Sequence, residues 1–317
     1  MERRNKHGDS GTTMLSEQAA IANLIDAKGP LTGIEIKKEI DIDSLLLWKA
    51  CKTSEGLQVR TVGKRYMRLD RHVDGFARLS PSILREFFTY SVVGLVSDPA
   101  TLKKRCTEVA DRIREISRYK FGLAREMVAE IMEQFQRGET GNHQICFIIA
   151  GDIVYDMAHD VPRPERSTGK LVKGSDIDLV IVVDDDMPDA SIKKLDELIY
   201  QKKYRMLINP VINEEVDYKI KKLDLIRNQV RFDDFKHMVA IKILQEGLLV
   251  YGSEDIFHTV KRIIKENGLP EKLNDLERVA KAFRNKAEMS TLDGSLNKEE
   301  IKRMHLFYSA EEFEEFE

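Results

Sequence analysis

The segment Asp176-Ile177-Asp178, running straight into Leu179-Val180-Ile181-Val182-Val183, constrains this chain more than any other. An uninterrupted aliphatic run of this length predicts a strand buried on both faces, inside a sheet covered by helices. Residues two apart on a strand share a face, so Asp176 and Asp178 project the same way at the mouth of that strand. Two carboxylates so placed repel, and leaving them unpaired costs several kcal/mol. A divalent cation removes the conflict: Mg²⁺ or Mn²⁺ prefers hard oxygen ligands and keeps water and substrate phosphate as its other partners. A third carboxylate is expected from an adjacent strand. In Glu215–Ile220, Val216, Tyr218 and Ile220 share one face while Asp217 and Lys219 share the other. Asp176, Asp178 and Asp217 are therefore the predicted metal ligands and catalytic residues. Two ions held by three carboxylates stabilise attacking and leaving oxygens together, with Asp217 as general base or as the ligand that activates the acceptor hydroxyl.

The surrounding pattern supports a sheet domain. QICFIIAGD is a near-continuous apolar strand stopping at Gly151-Asp152, and IVYDMAHDV follows as a short helix candidate. VPRPERSTGKLVKG is a basic loop whose Arg163, Arg166, Lys170 and Lys173 either clamp a triphosphate or form an ordinary exposed insertion. After the Asp176–Val183 strand come a helix over Asp189–Tyr204, strands near Met206–Ile208 and Glu215–Ile220, and a helix from about Asp233 to Gly247 leading into LLVYGSEDIF. Strands alternating with helices predict an α/β arrangement. Lys242, on that last helix, reads as an exposed lysine or as a phosphate contact. Ser167-Thr168-Gly169-Lys170 lacks the upstream glycine of a phosphate-binding loop, and His159-Asp160 lacks partner residues for a phosphohydrolase pair.

On these elements the chain resembles the DNA polymerase β-like nucleotidyltransferase superfamily: strand–Gly151-Asp152–helix, then GSDIDLVIV, then VDYKI, and the helix FKHMVAIKILQEGLLVYG. The resemblance covers about 120 residues, 141–260. It implies a small mixed sheet flanked by helices, a nucleoside triphosphate donor (ATP, giving AMP) and Mg²⁺ or Mn²⁺. It also implies a nucleotide site drawn from Gly151, Asp152, Ser175, Lys170, Lys173 and Lys242. Two departures stand out: the spacing from Gly151 to Asp176 is longer than usual because of the basic loop, and the residue after Gly151 differs. The family pattern has Gly-Ser or Gly-Gly where this chain has Gly151-Asp152, and an Asp there caps a helix but repels phosphate.

At 317 residues the chain is longer than one hydrophobic core usually grows, so more than one domain is expected. Upstream, Ser16 onward reads as a helix, followed by short helices at Gly33–Ile40 and Ser44–Lys52. Leu57–Val62 and Arg65–Leu69 alternate around Gly63-Lys64, a hairpin signal. Three short helices and a hairpin make a winged-helix outline. Residues 45–72 carry seven Lys/Arg against two acids, and Lys49, Lys52, Arg60, Lys64, Arg65 and Arg68 are candidate DNA phosphate contacts. The alternative is a solvated basic face on a domain that only packs against its neighbour. Phe76–Gly94 is apolar and reads as helical after Ser80-Pro81, with Pro81 at the first turn, and about Pro99–Phe135 reads as a long helix with a break at Gly122. The expected order is a polar, disordered start plus winged-helix-like domain (1–95), a linking helix (96–140), the nucleotidyltransferase core (141–260), and C-terminal helices with a mobile acidic tail (261–317). The fold class is α+β.

No apolar run reaches the 18 residues a membrane span needs, and the polar N-terminus has no signal-peptide core. Cys51, Cys106 and Cys146 are scattered without a CxxC pair, which fits a reducing cytoplasm and neither a zinc site nor a disulfide framework. Two functions remain open. The first is a nucleotidyltransferase moving a nucleoside monophosphate to an acceptor hydroxyl (on a protein, small molecule, nucleic acid or nucleotide) and releasing pyrophosphate. The second is a non-catalytic winged-helix DNA-binding regulator whose nucleotidyltransferase-like domain senses nucleotide or is inactive.

Overall fold

A computed structural model describes residues 9–137, 144–165 and 169–309. The predicted polar loop at 138–142, His143, Arg166, Ser167, Thr168 and the acidic tail from 310 lie outside the described residues, as do residues 1–8. The chain mixes helix and strand and divides into two compact units, residues 1–112 with 279–317, and residues 113–278. Among the described residues no helix is long and apolar enough to cross a membrane.

The first unit opens with α1 (Asp9–Lys28), β1 (Leu31–Thr32), α2 (Gly33–Glu39) and α3 (Ser44–Thr53). Residues 9–13, expected to be disordered, thus belong to α1. Thr32 and Glu35 form a reciprocal capping box that fixes the start of α2, and the Asp43 carboxylate caps α3. Next come β2 (Leu57–Thr61), β3 (Tyr66–Leu69), β4 (Ala77–Ser80), α4 (Ile83–Thr89) and β5 (Ser91–Leu95).

One expectation fails here and another holds only in part. The hairpin around Gly63-Lys64 does not form: β2 pairs with β5, and β3 with β4, both antiparallel. The helix expected after Ser80-Pro81 does form as α4, but it is short: it lies between strands β4 and β5 within Phe76–Gly94, and Pro81 lies outside it, its cap being Ser82. The reason is burial. Val92 and Val93 are fully buried, which suits β5 to the centre of a three-stranded sheet ordered β1-β5-β2. A continuous apolar stretch does not reveal whether it is helix or central strand. The unit's core gathers Ile21, Ile36, Leu47, Trp48, Phe87 and Val93, together with Ala287, Ile301 and Phe307 from the C-terminal segment. Phe307 meets Trp48 edge-on at 5.5 Å between ring centroids.

The helix α5 (Pro99–Gln136) runs unbroken through Gly122, where the sequence suggested a break. The second unit continues with β6 (Ile145–Ala150), a 3₁₀ turn (Gly151–Tyr155), β7 (Pro162–Pro164), β8 (Leu171–Lys173), β9 (Ile177–Val183), α6 (Asp189–Ile208), β10 (Val216–Lys222), α7 (Leu223–Gln229), α8 (Phe235–Glu246), β11 (Leu248–Gly252) and α9 (Glu254–Glu266). α10 (Leu269–Leu292) follows, with α11 (Lys298–Arg303) after it in the first unit. The strand expected near Met206–Ile208 is instead the end of α6, because Met206 extends the buried stripe of Leu195 and Ile199. The basic loop contains a small antiparallel hairpin, β7 with β8.

The four-stranded sheet is ordered β10-β9-β6-β11, with β9 and β10 parallel and the other pairs antiparallel. One face carries Phe147, Ile149, Leu179, Ile181 and Val216 into a core with Met127, Val128 and Ile131 of α5 and Leu195 and Ile199 of α6. On the other side α8 and α9 contact β6, with Ile241, Leu244, Val260 and Ile264 buried. A mixed sheet with helices on both faces explains why β9 is apolar on alternate and intervening positions alike.

Candidate metal centre

The parallel pairing of β9 and β10 sets Asp217 directly opposite Asp178. The Ile177 N–H donates to the Glu215 carbonyl at 3.0 Å, which carries the register one step further back. Asp176 and Asp178 on one strand, and Glu215 and Asp217 on its neighbour, therefore share a sheet face. Carboxylate oxygens of Asp176, Glu215 and Asp217 lie within 4.8 Å of one another. Asp178 belongs to the same face but not to that trio; its Oδ2 sits 2.5 Å from where a Cβ on Gly151 would stand. Gly151 has φ +74°, so both its backbone and its neighbour require glycine. Glu215 was missed from sequence although it has the parity of Asp217, because it precedes the strand's apolar positions.

Two cations meet the trio. Arg163, on β7, donates through Nε to the Gly174 carbonyl at 2.7 Å and through Nη2 to Glu215 at 2.9 Å, and the same Nη2 ion-pairs with Asp176. Lys203, from α6, donates to Asp217 Oδ1 at 2.9 Å. Asp176 Oδ1 is nonetheless buried without a properly formed hydrogen bond. Three carboxylates facing two cations leave negative charge uncompensated. Oxygen ligands and their mutual approach fit a hard divalent ion.

The approach to Asp176 is pinned from behind. Lys120 of α5 is buried and donates to the carbonyls of Lys173 and Ser175, each at 2.8 Å, while ion-pairing with buried Glu214. Burial pushes the Lys120 ammonium down in pKa and the Glu214 carboxyl up, each partner opposing the other's shift. Gly174 between those carbonyls has φ +47° and no room for a side chain, since the His159 carbonyl lies 1.9 Å from an ideal Cβ. Three consecutive carbonyls, 173 to 175, are thus each held by a cation. No sequence pattern announces Lys120, which lies on a helix 55 residues before the carbonyl it holds.

The residues expected around a triphosphate have protein partners. Ser175 Oγ donates to Asp152 at 2.7 Å, and the Gly151 N–H points to Glu246 at 3.4 Å. Lys242 is buried rather than exposed; it ion-pairs with Glu246 and donates to the Tyr155 hydroxyl at 3.0 Å. Tyr155 in turn donates to Glu246 at 2.7 Å, and burial with that carboxylate raises its pKa. Lys173 reaches away to the Val211 carbonyl at 2.8 Å, and Lys170 is exposed. Asp233, Asp234 and His237 form a second group able to hold an ion, but Asp234 is there the cap of α8.

In the first unit, Lys52, Lys64 and Arg68 are exposed, and Lys49 and Arg60 half-buried. Arg65 corrects the expected basic face: it forms a fork on Glu86 at 2.5 and 2.7 Å and bonds Glu288 at 2.9 Å. Because β2 and β3 are not partners, these residues do not line one hairpin. No family model, curated protein or solved structure matches the chain.

Proposed function

We propose that the second unit is a metal-dependent nucleotidyltransferase, related in design to the polymerase β-like superfamily, that moves a nucleoside monophosphate from a triphosphate to an acceptor hydroxyl. One observation carries this reading: Asp176, Glu215 and Asp217 bring carboxylate oxygens within 4.8 Å of one another from two parallel strands. Like charges gathered this closely are costly without a multivalent partner. Asp176, Glu215 and Asp217 would hold Mg²⁺ or Mn²⁺, with Asp178 beside them. When bound, the ion supplies positive charge to phosphoryl oxygens and lowers the pKa of an acceptor hydroxyl.

The remaining steps belong to the chain. Asp217 is the most exposed of the trio, with 56% of its side chain accessible, so it is the acid an acceptor meets first. It takes the hydroxyl proton as the acceptor oxygen bonds to the α-phosphorus; the bond from that phosphorus to the bridging oxygen breaks, and pyrophosphate leaves. Lys203 keeps Asp217 oriented. Adenylyl is the donor group suggested by the resemblance.

The test is transfer of label from α-labelled triphosphates to candidate acceptors with Mg²⁺ or Mn²⁺. Transfer should be lost in Asp176→Asn and Asp217→Asn variants that keep wild-type circular dichroism; undiminished transfer in either would end the reading. A second reading, a nucleotide-sensing or inactive domain attached to a winged-helix DNA binder, draws on Asp152 and Glu246 already engaging Ser175 and the Gly151 N–H. It expects no transfer, and DNA retention that depends on Lys64 and Arg68.

A further inference from the structure

We infer that Arg163 is the built-in counter-cation of this centre, holding Asp176 and Glu215 until a divalent ion displaces it. The inference rests on the metal-centre reading above and adds how that centre is kept and loaded. Nη2 of Arg163 contacts both acids, while Nε is anchored on the Gly174 carbonyl at 2.7 Å. The Arg163 side chain is 14% exposed, against 30% for Asp176 and 9% for Glu215, so the guanidinium and its Glu215 partner are largely withdrawn from solvent. The oxygens that Nη2 occupies, Asp176 Oδ1 and Glu215 Oε2, are oxygens a divalent ion would need. Guanidinium and ion therefore compete for them, and apparent ion affinity is reduced by the fraction of molecules in which Arg163 is seated.

The arrangement is also local. Arg163 sits in β7, paired with Val172 of β8, and β8 leads directly through Gly174 to Asp176. A guanidinium carried by the hairpin that enters the metal-binding strand can leave the acids without the sheet moving. Lys203 is differently placed: it ion-pairs with Asp217, whose carboxylate is largely exposed, so its departure is not required in the same way.

Mn²⁺ binding, read from the electron paramagnetic resonance signal of free Mn²⁺ in the full chain without nucleotide, tests the competition. Arg163→Met should bind Mn²⁺ about ten- to a hundredfold more tightly than wild type, the range of one charge-assisted bond removed from the competitor. Arg163→Lys should fall between the two. Met variant affinity equal to or weaker than wild type overturns the inference. Loss of Mn²⁺ binding in Asp176→Asn keeps the metal-centre reading separate: if that variant binds as wild type does, it is the centre that fails. Should Arg163→Met not fold without metal, wild type alone decides. The Arg163 Nε–H resonance should shift on Mg²⁺ titration, and an unmoved resonance at saturating Mg²⁺ refutes displacement.

Discussion

Replacing Lys120 by Met tests whether the pinned carbonyls hold the acids in place. The substitution strands Glu214, whose side chain is 1% exposed, without its counter-charge, and removes the donor from the carbonyls of Lys173 and Ser175. Breaking a buried ion pair from one side costs about 3–5 kcal/mol. For a unit of this size, residues 113–278, each kcal/mol moves the melting midpoint by about 2–4 °C, so a fall of roughly 6–20 °C is expected. The pH dependence has a definite sign. Glu214 already has a raised pKa from burial, and losing Lys120 raises it further. A carboxyl whose folded pKa is raised binds its proton more readily in the folded state, so its contribution is present at low pH and lost as pH rises through that pKa. The gap between variant and wild type should therefore be smaller at pH 5 than at pH 8. Adding Glu214→Leu should recover part of the loss but not all, because the two carbonyls remain without their donor. Urea unfolding at both pH values, with the Mn²⁺ affinity of the folded fraction, reads the whole chain of cause. A Lys120→Met protein within about 1 kcal/mol of wild type, within the range of ordinary point substitutions, refutes the reasoning.

Three further outcomes follow. Burial pushes the thiols of Cys51 and Cys146 up to about 12, so a native-state thiol reagent should find at most Cys106, and all three thiols only after denaturation; rapid native labelling of two or three would contradict the described cores. Burial, then Lys219, lowers Lys221 from 10.5 to about 8, so the unfolded chain binds more protons between those values and stability should rise with pH across them, by no more than about 3 kcal/mol; Lys221→Met should flatten that rise in alkaline unfolding curves. Gly151→Ala should lose about 1–2 kcal/mol from its left-handed backbone and disturb Asp178, so equilibrium unfolding indistinguishable from wild type would place the carboxylate elsewhere.

The parts of the site legible in sequence are those set by periodicity. β6 and β9 are apolar runs and β10 alternates, and the shared face of Asp176 and Asp178 follows from alternation alone, whereas Asp217 joins it through the β9–β10 register. Parity also points at Glu215, but an acid at a strand's threshold carries no local sign that it turns toward the same ion. Partner choice was not legible. Nothing near Leu57–Thr61 says that its partner is Ser91–Leu95 and not the closer Tyr66–Leu69, because alternation specifies a strand and not its neighbour. Likewise Arg65 looks like any basic surface residue until Glu288, 223 positions away, is brought beside it. Lys242 was misjudged for the same reason: one turn away on α8, Glu246 stands ready to pair, but only Tyr155 from the 3₁₀ turn closes the network that buries both.

Buried charge alone does not mark a functional site in this protein, and the first unit shows why. Arg65 and Arg284 are surrounded there by Glu86 and Glu288, and Arg78 by Asp70, so each cation meets an acid. Such pairing draws on the unit's own acids, although Arg78 Nη1 and Arg284 Nη2 stay without a hydrogen bond. At the mouth of β9 and β10 the order is reversed: acids meet acids, and the nearby cations are too few to neutralise them. The same stretch also holds Gly151 and Gly174 in left-handed backbone and a buried lysine against two carbonyls of the approach. Costly local choices gathered in one place, without mutual compensation, are what a site built for an external cation requires. That asymmetry, and not the mere presence of aspartates, sets the acids of the second unit apart from the paired charges of the first.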